Sequence, residues 1–424
     1  MQHEIQLERI GPQGEAMAGA ISSCVHCGFC LPTCPTYLTM GEEENSPRGR
    51  IVLMKEVLEG GLTVEEASSP IDNCLGCQAC VSACPSGVEY GDLITAYRAY
   101  AETRRSRPAG ERAQRALIGA ILPRPRAFRV ATRLGMLGRN LAAMVPSGMR
   151  PMLELLPARL PRRRPLPEVT RAEGSRRARV ALLAGCAQQV LAPEIGWATA
   201  RVLARNGVEV VVPRGQGCCG ALAMHGGRER AARRFARRTI AALAGDFDAI
   251  VTNAAGCGSG MREYPLLLTG EPDEAEARVF ADRVVDVSAF LDDLGFLPPP
   301  PATQPLRIAY HDACHLSHAQ RVREAPRRLL AATGHDVVTP DEAEICCGSA
   351  GTYNLERPET AAELGRRKAE RLLATEPNLI AAGNIGCLTQ IRKHLASSPA
   401  VETLHTIEIL DRAYGRSRSV QRSG

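Results

Sequence analysis

Two stretches of the chain, CVHCGFCLPTCP at residues 24–35 and CLGCQACVSACP at 74–85, carry four cysteines each at the same spacings and close on a proline. Thiols gathered that densely call for a metal. Zinc takes four ligands, usually as two separated pairs of cysteines two residues apart. Here four sulfurs fall within eleven residues, in the C-x2-C-x2-C-x3-C-P order that binds pairs of iron-sulfur clusters. In that arrangement the first three thiolates curl around one face of a cubane and the fourth, one helical turn further on, reaches the other cluster. The spacing therefore assigns one [4Fe-4S] cluster to Cys24, Cys27, Cys30 and Cys84, and a second to Cys74, Cys77, Cys80 and Cys34. The bland alternative is a set of reduced structural thiols or disulfides.

The other eight cysteines repeat as a set. LAGC at Cys186, GCCG at Cys218 and Cys219, and AAGC at Cys257 recur as HDAC at Cys314, ICCG at Cys346 and Cys347, and NIGC at Cys387. Three of the four positions recur at an offset of 128 residues and the last at 130. That regularity predicts a duplicated domain with a four-thiol metal or redox site in each half. Adjacent cysteines cannot both point inward from a regular strand or helix, whereas a turn ending in Gly220 or Gly348 allows it. His311 or His315, beside Cys314, could add a ligand in the second half.

The elements that must position these residues follow from periodicity. Before the second motif, SPRGRIVLMKEVLEGG reads as a helix capped by Ser46, begun at Pro47 and ended at Gly60. The thirty-nine residues between Cys34 and Cys74 suit an α-helical ferredoxin rather than a compact one. In the duplicated part, RVALLAG, VEVVV and DAIVTN, and then PLRIAY, HDVVT and NLIAAG, are short apolar runs suited to buried parallel strands. Amphipathic segments such as EIGWATARVLARNG and ERPETAAELGRRKAERLLATE lie between them. The expected fold class is thus α + α/β: an N-terminal α-helical two-cluster ferredoxin domain (1–103), an Arg/Pro-rich connector (104–178), and two α/β cysteine-rich domains (179–300 and 301–415). All eight later cysteines are placed in strand-to-helix loops at the carboxyl ends of the strands, where open α/β sheets bind ligands.

Composition narrows the rest. The 424 residues are 45% hydrophobic and 23% charged, a globular balance, and no run approaches the ~20 apolar residues of a spanning helix. The polar, acidic start lacks a secretory or transit pattern, and sixteen cysteines suit a reducing compartment, so a cytoplasmic protein is expected. Net charge is +6, but residues 104–179 hold nineteen Arg, no Lys, no Asp and four Glu, so this segment is +15 and the remainder −9. Without interleaved aromatics it does not read as a nucleic-acid surface. PRPRAFRVATRLGMLGRNLAAMVP alternates Arg with apolar residues at helical spacing, which suits peripheral contact with a membrane or an acidic subunit, against a solvated linker as the plain alternative.

The motif pairs, with SPRGRI at 46–51, CCGSAGTY at 346–353 and NIGC at 384–387, resemble the iron-sulfur subunits of bacterial glycolate oxidase (glycolate dehydrogenase) over essentially the whole chain. The layout alone is shared with subunits of anaerobic glycerol-3-phosphate dehydrogenase, lactate-oxidation proteins and heterodisulfide reductase, which stand as alternatives. The resemblance implies FAD-bearing partner subunits that oxidise glycolate to glyoxylate, while this chain, with no catalytic residue of its own, passes electrons to membrane quinone or another acceptor. The residues agree: GCGSGM at 256–261 departs from a dinucleotide fingerprint at Met261, so a two-electron donor must sit elsewhere. One departure from the heterodisulfide reductase pattern stands out, since Gly260 and Gln390 occupy the place of a fifth, C-x-x-C cysteine.

Overall fold

The structure is a computed structural model that describes residues 2–138, 150–396 and 401–422. Its N-terminal part is helical. Helix Pro47–Glu59 begins where Ser46 Oγ accepts the Gly49 N–H at 3.0 Å and ends at Gly60, whose φ of 88° lets its N–H turn back onto the last carbonyls. Helix Val64–Asn73 starts on a capping box between Thr63 and Glu66. Together with helices Gly14–Ser22 and Tyr90–Glu102 they enclose a core of Met17, Ile21, Ile51, Met54, Ile71, Leu93 and Ile94. Each such side chain contributes about 1.5–3 kcal/mol by leaving water.

Two sheets follow. In the first, β1 (Val169–Thr170), β2 (Ala178–Leu182), β3 (Val208–Val211), β4 (Ala249–Thr252) and β5 (Val284–Asp286) lie in the order β1-β3-β2-β4-β5, parallel except for the edge strand β1. In the second, β6 (Arg307–His311), β7 (Asp336–Val338), β8 (Leu379–Ala382) and β9 (Glu402–His405) are all parallel, in the order β7-β6-β8-β9. The strand order reverses between β2 and β4 in one sheet and between β6 and β8 in the other, the crevice position for ligands in such sheets. Six strands coincide with the six apolar runs of the sequence; β1, β5 and β9 were not foreseen. The mixed helical and α/β class with a duplicated second part is the fold observed.

The halves pack through related helices. Pro193–Arg205 lies against Thr406–Arg422, where Asp411 receives Arg201 at 2.6 Å and Arg205 at 2.8 Å, and Val287–Leu294 lies against Glu324–Ala331. One core runs across both sheets, joining Val180, Leu182 and Val251 to Ile308, Tyr310 and Ile380. The helical part sits over the carboxyl ends of the strands: Tyr90–Glu102 meets helices Ala221–His225 and Tyr264–Leu267.

Part of the arginine-rich segment is absorbed into this packing. Arg105 pairs with Asp72 at 2.7 Å, Arg107 with Glu102 at 2.8 Å, and Arg115 with Glu356 at 3.2 Å. Helix Pro125–Leu137 instead exposes Arg126, Val130, Arg133, Leu134 and Leu137 on one face. The rest of its sequence pattern, from residue 139 to 146, lies outside the described residues.

Candidate metal centres

In both N-terminal motifs the third and fifth residues take positive φ: His26 and Gly28 at 57° and 85°, Gly76 and Gln78 at 65° and 61°. Alternating the hand of successive residues turns their N–H groups to one side, the concave arrangement that binds anionic groups. Holding His26 and Gln78 there costs about 1 kcal/mol or more each, since neither is glycine. The fourth cysteine then follows one turn, its N–H bonded to Leu31 O in Cys34 and to Val81 O in Cys84.

This curl brings the cysteines together across the motifs rather than within them. Cys24, Cys27, Cys30 and Cys84, with Cys80 beside them, line one cavity, open on one side. Cys34, Cys74, Cys77 and Cys80 line a second. The first three cysteines of each motif meet the last cysteine of the other, and Cys80, Pro47 and Tyr90 belong to the walls of both cavities.

The SPRGR stretch furnishes these cavities with positive charge. A Cβ on Gly49 would lie 2.0 Å from Glu43 O, so only glycine lets the helix start against that loop. Arg48 then reaches the first cavity, donating to His26 O at 3.2 Å. Arg50, 1% exposed, lines the second, donating to Pro70 O at 2.7 Å, Thr36 Oγ1 at 2.8 Å and Cys34 Sγ at 3.8 Å. Burial opposes ionisation of Cys74, but the Arg50 and Arg98 guanidiniums outweigh it and hold this thiol below its ordinary pKa. Burial, reinforced by the neighbouring thiols, pushes Cys30 up to about 11 and raises Cys77 and Cys80 strongly. Buried thiols so reluctant to ionise become thiolates readily only with a cation among them, and four sulfurs about each cavity, with basic residues around them, fit an iron-sulfur cluster.

In the cysteine-rich halves the thiols touch. Cys186 Sγ lies 3.7 Å from Cys218 Sγ, and the Cys219 thiol bonds to those of Cys218 and Cys257. Cys314 Sγ lies 3.9 Å from Cys346 Sγ, and Cys347 bonds to Cys346 and Cys387. Five of the eight positions follow the loop placement expected from sequence, and Cys314 stands at the start of the short helix His315–Ala319. Cys257 and Cys387 instead sit in the first turns of helices Ala255–Arg262 and Ile385–His394, because the chain turns helical immediately after β4 and β8. The two histidines part company. His311, at the end of β6, comes within 4.8 Å of Cys347 and Cys387 through its ligand atoms. His315 turns to the first half, its Nδ1 2.6 Å from Ser259 Oγ and its ring stacked on His225.

The missing fifth cysteines have a packing reason. A Cβ at Gly260 would meet Ala221 Cβ at 2.5 Å, and Gln390 is buried, donating to Ala361 O at 2.9 Å. The second cavity and the second half are neighbours, with Cys77, Cys314 and Cys346 in one buried cluster. Sequence reasoning missed Arg50 and Tyr90 as wall residues. Ser46-Pro47 announces a helix, but nothing local says that the arginine four residues on is buried.

Fold and site together define an iron-sulfur protein with a helical dicluster domain and twin cysteine-rich domains. Family models agree: a 4Fe-4S dicluster domain matches residues 20–88, and the cysteine-rich (CCG) domain matches 180–262 and 308–392. The chain is 36% identical over 403 residues to the glycolate oxidase iron-sulfur subunit of Escherichia coli K12, covering 93% of this chain and 94% of that protein. It is 34% identical over 425 residues to the probable glycolate oxidase iron-sulfur subunit of Bacillus subtilis 168, covering 95% and 96%. Lactate utilization protein A of Oceanobacillus iheyensis is 29% identical over 236 residues, covering 55% of this chain and 96% of that protein. The chain belongs to the family of glycolate oxidase iron-sulfur subunits.

Proposed function

We propose that this chain is the electron-transfer subunit of a flavin-dependent complex that oxidises glycolate to glyoxylate, with FAD on partner subunits and membrane quinone as acceptor. The observation that carries the reading is the pair of cysteine-lined cavities with a common wall. One cluster would be held by Cys24, Cys27, Cys30 and Cys84, the other by Cys34, Cys74, Cys77 and Cys80. Clusters of this kind take single electrons and so divide a flavin's pair into two steps. The chain's own residues shape the seats: the left-handed loops present N–H groups, Arg48 and Arg50 offset thiolate charge, and Tyr90 directs its hydroxyl to Cys74 Sγ at 3.7 Å.

The cysteine-rich halves act as metal or thiol sites beside this path, and Gly260 and Gln390 argue against disulfide reduction there. The exposed Arg126, Val130, Arg133, Leu134 and Leu137 face supports a peripheral seat on the inner face of the cell membrane, in a cytoplasmic protein. Among the described residues no helix is long and apolar enough to cross a membrane.

Anaerobically purified chain should contain at least eight irons, and Cys27→Ser should abolish one cluster's paramagnetic signal while the other persists. The chain alone should not oxidise glycolate; turnover with an artificial acceptor should require the flavin-bearing subunits. Zinc in place of iron at these eight cysteines, or turnover by the isolated chain, would sink the proposal.

A further inference from the structure

The two cysteine-rich halves share a fold but not a site. His311 is 1% exposed, and neither ring nitrogen has a hydrogen-bond partner. An imidazole buried without a partner for either nitrogen loses hydrogen bonds it had in water with nothing in return. Its ligand atom lies within 4.8 Å of the thiols of Cys347 and Cys387, all three residues buried. Cys346 lies outside that group, but its thiol contacts that of Cys347, so it is the adjacent sulfur that can turn in to complete a set of four.

Three side chains around this group exist only in the second half. The 128-residue offset between Cys186 and Cys314 puts Leu183 where His311 stands. The Cβ positions of Gly220 and Gly348 face Ala232 O and Ala361 O, which aligns the following helices and puts Thr239 where Lys368 stands. Ala254 stands where Asn384 does, three residues before the last cysteine. Each second-half residue serves the thiols. Lys368, 2% exposed, donates from Nζ to Glu342 O at 2.5 Å and Ala343 O at 3.1 Å, which fixes a positive charge among buried sulfurs. Asn384 Nδ2 donates to Cys387 Sγ at 3.3 Å, the kind of outer contact that orients a metal ligand. Leu183, by contrast, packs into the apolar core of its half with Cys219.

We propose that the second half alone binds one tetrahedral zinc ion, through His311, Cys347, Cys387 and Cys346. Zinc takes such mixed sulfur and nitrogen sets at about 2.0–2.3 Å, which sets its ligand atoms roughly 3.5 Å apart. A cubane with an iron under each thiolate spreads its ligands wider than the 4.8 Å within which His311, Cys347 and Cys387 meet. Three thiolates and a neutral imidazole leave the zinc group one negative charge, which Lys368 balances. The ion's role is structural: it ties β6, the Cys346–Cys347 turn and helix Ile385–His394 together directly beneath Cys77. The inference deepens the reading of these halves as metal or thiol sites and does not depend on glycolate as substrate.

The test is metal analysis of the full chain, purified anaerobically from zinc-supplemented cells, with iron and zinc counted separately. One zinc per chain is expected beside the irons. His311→Leu, which installs the first-half residue, and Cys387→Ser should each lose it, while Cys257→Ser should keep it. His311→Cys should retain the ion but change its X-ray absorption signature from mixed sulfur and nitrogen to sulfur alone, which guards against a mere folding defect. Eight irons without zinc, or a zinc that survives both His311→Leu and Cys387→Ser, would overturn the inference and leave the electron-transfer reading standing. Zinc without iron would do the reverse.

Discussion

Arg50 shows how much a single side chain can set. Its guanidinium is buried between Cys34, Thr36 and Pro70 O, beside the proposed second cluster. A fixed positive charge there favours the reduced, more negative state of a cluster. Arg50→Met should therefore lower that cluster's midpoint potential, on the order of 50–100 mV for an interaction of ~1–2 kcal/mol. Arg50→Lys should recover most of the shift. Potentiometric titration followed by paramagnetic resonance reads both, and equal potentials in Arg50→Met and wild type would show the charge to be irrelevant. The sixteen cysteines were legible in the sequence because their spacing repeats. The wall residues were not, since burial of an arginine or of Tyr90 is decided by what packs over it.

Elements follow the same division. Five of the six apolar runs became strands buried on both faces, which leaves a near-unbroken hydrophobic signature, while β7, three residues at the edge of its sheet, is only half-buried. β1 and β5 are only two and three residues long, and β9 carries a single apolar residue, Leu404, so none stands out from its surroundings. β5 ends in Asp286, which caps helix Val287–Leu294 by accepting the Ser288 N–H at 2.8 Å. Burial raises this carboxyl to about 7. The protonated form is thus favoured in the folded chain, and the contribution to stability is full below the unfolded value of ~3.9 and lost as pH rises through 7. Asp286→Asn keeps a capping oxygen and removes the titration. Anaerobic thermal melts at pH 5.5 and pH 8 should show the wild type losing more stability than the variant, by an amount on the order of 1–3 kcal/mol. An identical pH response in the two proteins would place the carboxyl's pKa elsewhere.

For the whole molecule, charge asymmetry and packing decide orientation. The arginines nearest the helical domain are spent on internal ion pairs, whereas the face of helix Pro125–Leu137 leaves Val130, Leu134 and Leu137 in solvent beside Arg126 and Arg133. Co-sedimentation of the assembled complex with anionic lipid vesicles should weaken as salt rises from 0.1 to 0.5 M, because screening shortens the reach of exposed charges from ~10 Å. Leu134→Glu should weaken it further. Binding that ignores both salt and this substitution would leave the face a solvated surface. The wall of Cys80, Pro47 and Tyr90 common to the two cysteine cavities has a different consequence. Two redox centres separated by one layer of side chains feel each other's charge: at ~10 Å and an effective dielectric of ~20, a unit charge on one costs the other about 1–2 kcal/mol. With a cluster in each cavity, the first electron to arrive would discourage the second. The pair would fill anticooperatively and resist holding two electrons at once, so each electron would be pressed onward before its successor could follow.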